Sequence, residues 1–102
     1  MKIVIAEPNK TPYIEEITGT LKSMQEVVGG YIECVPFGTM HDVVIICNEE
    51  GKLKGLEPNF LYGGWDMICG TVFICGTSGE DFVSLTDEQA TDIVNIFDTV
   101  YR

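Results

Sequence analysis

The sequence predicts an α+β protein, with a mostly antiparallel sheet of about five strands and two helices, the C-terminal one longer. Three observations carry that expectation. Short β-rich runs at residues 2–6, 31–37, 43–47 and 66–76 are separated by turns containing Gly or Pro. Apolar residues recur at helical spacing in two places, residues 21–28 and 90–100. The turns at residues 7–12 and 38–42 are short enough to return the chain antiparallel.

Each element can be justified in order. Residues 2–6, Lys-Ile-Val-Ile-Ala, form a first strand, and Pro8 and Pro12 stiffen the turn that follows. Residues 13–17 read as its return strand. Glu15 and Glu16 break the alternation there, which places the strand at an exposed edge. Thr20 suits a helix N-cap, and Leu21, Met24, Val27 and Val28 make one apolar stripe. Gly29 and Gly30 end this helix, with Gly29 in the left-handed conformation. At about two turns, such a helix needs a sheet to pack against. Pro36 puts the next strand at an edge or a bulge. Val43-Val44-Ile45-Ile46-Cys47 is apolar without alternation, as expected of a central strand buried on both faces.

Asn48-Glu49-Glu50-Gly51-Lys52 reads as a hairpin loop with Gly51 at positive φ, and residues 52–54 are expected to pair briefly with the strand before it. Residues 57–64 read as loop. Residues 66–76 read as one long strand in which Gly70 marks a bulge or a close approach of backbone or ligand. A polar loop at residues 77–81 leads to the last helix. Thr86 and Gln89 form a capping box there, with Leu85 and Ala90 as a hydrophobic staple. Ala90, Ile93, Ile96, Phe97 and Val100 make its buried face, and Asp92, Asn95, Asp98 and Thr99 face water. Both helices are expected on one face of the sheet.

Length and composition narrow the class. The 102 residues fit one domain, 1–102, with no repeat, linker or low-complexity tract. No apolar run approaches the ~18 residues a membrane-spanning helix needs. Residues 1–8 read as a first strand rather than a signal peptide, so the expected location is the cytoplasm. Six basic against 16 acidic residues give a net charge of -10, which disfavours direct nucleic-acid binding. Cys34, Cys47, Cys69 and Cys75 contain no Cys-x-x-Cys pair, and His41 has no neighbouring ligand. They are expected to be buried free thiols, with no metal and no cofactor. The sequence has no nucleophile elbow, zinc-protease motif or phosphate-cradling loop. A catalytic site is therefore not expected.

Four blocks occur in order: Val28-Gly29-Gly30-Tyr31-Ile32-Glu33, Cys47-Asn48-Glu49-Glu50-Gly51-Lys52-Leu53, Gly70-Thr71-Val72-Phe73-Ile74 and Asp81-Phe82-Val83-Ser84-Leu85-Thr86-Asp87-Glu88-Gln89. The series resembles the domain-of-unknown-function family numbered 3846, and the resemblance runs from Lys2 to the last helix. It implies a short acidic protein encoded by a phage, plasmid or integrative element of bacteria. It brings no established catalytic residues.

The expected function is therefore binding. Large aromatics in a Gly-rich segment pack or bind something, and Phe60, Tyr62 and Trp65 cluster around Gly63 and Gly64. The candidate ligand site is Asn48, Asn59, Tyr62, Gly63, Gly64 and Trp65, with Glu49 and Glu50 beside it. Three readings stay open: sequestration of a small nucleotide-like ligand, an acidic inhibitor or DNA mimic that blocks a host protein, and an assembly accessory without ligand. The exposed edge at residues 13–17 would suit a homodimer.

Overall fold

Strands that are apolar at successive positions place side chains on both faces of a sheet, so both faces must be covered. A computed structural model, which describes residues 1–102, answers that requirement with a layer on each side. The elements are β1 (Lys2–Ala6), β2 (Tyr13–Glu16), α1 (Leu21–Val28), β3 (Ile32–Pro36), β4 (Val43–Asn48), β5 (Pro58–Tyr62), β6 (Asp66–Cys69), β7 (Val72–Ser78), β8 (Asp81–Val83) and α2 (Asp87–Tyr101). The main sheet runs β2-β1-β7-β4-β3, and every pairing in it is antiparallel. Gly76 pairs with Val43 on one side and Val83 on the other, so β8 continues the β1 edge of β7. The short β5–β6 hairpin is a separate sheet.

The two helices lie on opposite faces, which corrects the expectation of a single covered face. Ile3, Ile5, Ile46, Phe73 and Cys75 pack with Met24 and Val28 of α1. Val4, Ala6, Ile45, Cys47, Val72 and Ile74 point the other way and pack with Ile93 and Phe97 of α2, and with Phe60 and Ile68 of the hairpin. The period-two alternation of β1 divides its residues between these two cores. β4 is central and almost wholly buried, as its sequence requires, while β2 and β3 are the edges.

The helix ends follow their local signals. The Thr20 hydroxyl accepts from Ser23 N, and Gly29 takes φ 79° past the last turn of α1. Leu21 departs from the expected stripe, being 58% exposed at the first turn. In α2 the reciprocal bonds between Thr86 and Gln89 are both made. Ala90, Ile93 and Phe97 are buried, whereas Ile96 and Val100 lie at the margin of the core.

Four expectations fail in the middle of the chain. Residues 52–54 do not pair with β4. Backbone bonds from Lys54 to Glu50, Gly55 to Lys52 and Leu56 to Gly51 wind this segment into successive turns. Gly51 is not at positive φ; it is glycine because a Cβ would meet the Cys69 carbonyl oxygen at 2.5 Å. Most of the segment expected as loop is β5, and the long strand expected at 66–76 is two strands in different sheets. Gly70 makes the break: its φ is 93°, and the Leu56 side chain occupies the space of a Cβ.

Candidate functional site

The β5–β6 hairpin has two unlike faces. Phe60 and Ile68 pair across it and point into the core. Phe60 meets the Phe97 ring edge-on at 5.4 Å and lies 4.9 Å from the Tyr101 ring. Leu61 and Met67 form the next pair and, by alternation, occupy the outer face. Leu61 is 44% exposed, and Trp65 at the turn is 82% exposed. Gly63 and Gly64, with φ 64° and 81°, allow that tight turn, which the Trp65 N–H closes by donating to the Tyr62 carbonyl at 3.3 Å.

The residues singled out from the sequence separate into two groups. Asn48 is buried, and its amide is used within the fold: Nδ2 donates to Val28 O at 3.2 Å, and Oδ1 accepts from Glu50 N at 2.8 Å. It ties the end of α1 to the end of β4. Asn59 Nδ2 donates to the carbonyls of Ala6 and Gly70, each at 2.9 Å, and its Oδ1 accepts from Arg102 at 2.6 Å. Tyr62 is half-buried, stacks on Tyr101, and donates its hydroxyl to Pro36 O at 2.8 Å. Asn59 and Tyr62 thus hold the hairpin against the main sheet, while Asn48 braces α1 against it. Trp65, with the backbone of Gly63 and Gly64, is left facing outward.

Beside the hairpin, a groove of about 270 Å³ opens between the end of β4, the turns at 49–53 and β6. Glu33, Glu49, Glu50 and Asp66 line it together with Lys52. Lys52 Nζ is held by Asp66 Oδ1 at 2.5 Å, and Lys54 reaches Glu50 at 3.8 Å. Glu33 and Glu49 have no basic partner. Leu53 stands on the rim, 87% exposed, and Met67 contributes to the wall.

Two of the four thiols, Cys47 and Cys75, are buried deeply enough to suppress their ionisation. Burial, followed by the Glu33 carboxylate, pushes Cys47 up to about 12. Burial does the same to Cys75. Cys34 is exposed on the edge strand β3, which corrects the expectation that all four cysteines are buried; all four are free thiols. His41 is exposed in the turn before β4. No three His, Cys, Asp or Glu side chains are placed together to hold a metal ion. No helix is long and apolar enough to cross a membrane.

Sequence reasoning missed Glu33, Leu61, Asp66 and Arg102. Glu33 enters the groove through its pairing with Cys47, a register that residue spacing does not reveal. Leu61 could have been found had 58–62 been read as a strand, because alternation then sets it opposite Phe60 and Tyr62. Arg102 had no such signal. Its guanidinium donates to the carbonyls of Glu7 and Lys10 and to Asn59 and Asp98, and it lies 5.2 Å from the Phe97 ring.

Fold and surface together define a small acidic α+β protein with an aromatic-tipped hairpin beside a carboxylate-lined groove. The family model of a domain of unknown function, DUF3846, matches residues 1–98, and the chain belongs to that family. No curated protein and no solved structure matches it.

Proposed function

We propose that this is a non-catalytic binding protein of a phage or mobile element, acting in the bacterial cytoplasm by engaging a host protein through the outer face of the β5–β6 hairpin. The observation that carries the reading is Trp65, the sole tryptophan, standing 82% exposed on a hairpin whose other aromatics are anchored. A large aromatic on a rigid support is the kind of side chain that contributes most of the energy at a protein interface. The raised pKa values of Cys47 and Cys75 weigh against either acting as a nucleophile.

Among the three readings left open by the sequence, a protein partner is favoured over a nucleotide-like ligand. The Asn48 and Asn59 amides already have partners inside the fold. The adjoining groove is lined by carboxylates, which repel phosphates.

The test is retention of bacterial host proteins on immobilised parent chain and on the Trp65→Ala variant. The expected result is a discrete host protein held by the parent, lost from the variant and released by salt. Equal retention by both, or a small ultraviolet-absorbing molecule co-purifying with the parent, contradicts the reading.

A further inference from the structure

We infer that the outer hairpin face, made of Leu61, Met67 and Trp65, docks an arginine-bearing segment of a partner protein. The inference deepens the proposed function and rests on it.

The outer face is an unpartnered sheet surface with an apolar centre. Leu61 and Met67 are cross-strand neighbours, Trp65 stands at the hairpin turn, and the exposed Leu53 lines the same groove as Met67. Such a surface could take a second copy of the chain, a neutral apolar partner or a basic one. Charge decides among them. A net charge of -10 on an 11.3 kDa chain makes self-association repulsive. The groove beside the face adds a local field of the same sign. Of its four carboxylates, Asp66 is neutralised by Lys52 and Glu50 is met by Lys54, while Glu33 and Glu49 remain unpaired. A cationic segment crossing the hairpin would meet these two carboxylates beside the apolar centre.

Arginine suits this combination better than lysine. Its planar guanidinium stacks on an indole face and sheds water more readily than an ammonium group, and it can also bond a carboxylate through two N–H groups. The fold already contains one such contact, where the Arg102 guanidinium lies against the Phe97 ring while bonding the Asp98 carboxylate.

The test uses the full chain and three dye-labelled synthetic peptides of equal length, alternating Gly with Arg, with Lys or with Gln. Binding is read by peptide anisotropy and, for the parent, by Trp65 fluorescence. The Arg peptide is expected to bind tightest, to perturb Trp65 fluorescence and to weaken as salt is added. Trp65→Ala should weaken it about tenfold, as the loss of a cation–π contact implies. The double variant Glu33→Gln/Glu49→Gln should weaken it and flatten its salt dependence. Because these two glutamates are exposed and unpaired, that variant tests the docking surface whether or not Trp65→Ala folds.

Equal binding of Arg and Lys peptides, unaffected by Trp65→Ala, would overturn the inference in favour of general attraction to an acidic protein. Absence of Arg-peptide binding would overturn it outright. Sedimentation showing a dimer that Trp65→Ala dissociates would assign the face to a second copy instead. In each case retention of a host protein on the immobilised chain remains a separate readout, so the broader binding reading stands or falls independently.

Discussion

The two faces of the β5–β6 hairpin are built from the same few residues and have opposite fates. Phe60 and Tyr62 point inward and join Phe97 and Tyr101 in one aromatic cluster, and Ile68 enters the same core. Leu61, Met67 and Trp65 face away from that cluster, and the largest of them is the most exposed. The difference shows that aromatic density in a short segment does not by itself mark a site. Strand alternation sorts these residues into those that anchor and those left accessible. The polar residues sort in the same way, since Asn48 and Asn59 are satisfied internally while Glu33 and Glu49 face the groove unpaired.

The largest expected effect lies on the inner side. Phe97 is fully buried among Phe60, Tyr101 and the Arg102 guanidinium. Phe97→Ala should therefore lower stability by roughly 3–5 kcal/mol. Urea unfolding measures this, and an unchanged midpoint would mean that α2 does not dock on the hairpin as described.

Asn59→Ala comes next. It removes the donor to two backbone carbonyls and one acceptor of Arg102, so roughly 1–3 kcal/mol should be lost. Stability equal to the parent's would return Asn59 to the list of ligand contacts. Thr86→Ala should cost about 1 kcal/mol through the lost cap of α2, again read from the urea midpoint.

The thiols divide by exposure. Cys34 should label with a thiol reagent in the native state, more slowly than a cysteine in an unfolded peptide because partial desolvation raises its pKa, and faster as pH rises. Cys47 and Cys75, pushed up to about 12, should label only on unfolding. Rapid labelling of Cys75 at neutral pH would break the picture of a sealed α1-side core.

Much of the architecture was legible because its signals are local. The α2 capping box, the Gly29 terminator of α1 and the unbroken apolar run of β4 each act within a few residues and form as expected. What was not legible depends on distant partners. That β4 is buried on both faces implies a cover on each side, yet only the packed structure assigns α1 to one face and α2 to the other. Gly70 signalled a disturbance, but its role as the boundary between two sheets depends on Leu56, and the role of Gly51 depends on the Cys69 carbonyl. Of the residues the sequence singled out as a candidate site, Trp65 and the Gly63-Gly64 turn are the ones the structure leaves exposed. Asn48 and Asn59 were misleading because an amide that binds a ligand and one that ties two strands together look alike in sequence.

The central claim is that the outer hairpin face is not required for folding, and Trp65→Ala tests it most directly. A residue that is 82% exposed should be removable with a change of no more than about 0.5 kcal/mol. The measurement is the urea midpoint of Trp65→Ala beside that of Phe97→Ala. The account predicts a midpoint indistinguishable from the parent's for Trp65→Ala and a large drop for Phe97→Ala. A drop of similar size in both would place Trp65 in the core and contradict the assignment of this face to binding.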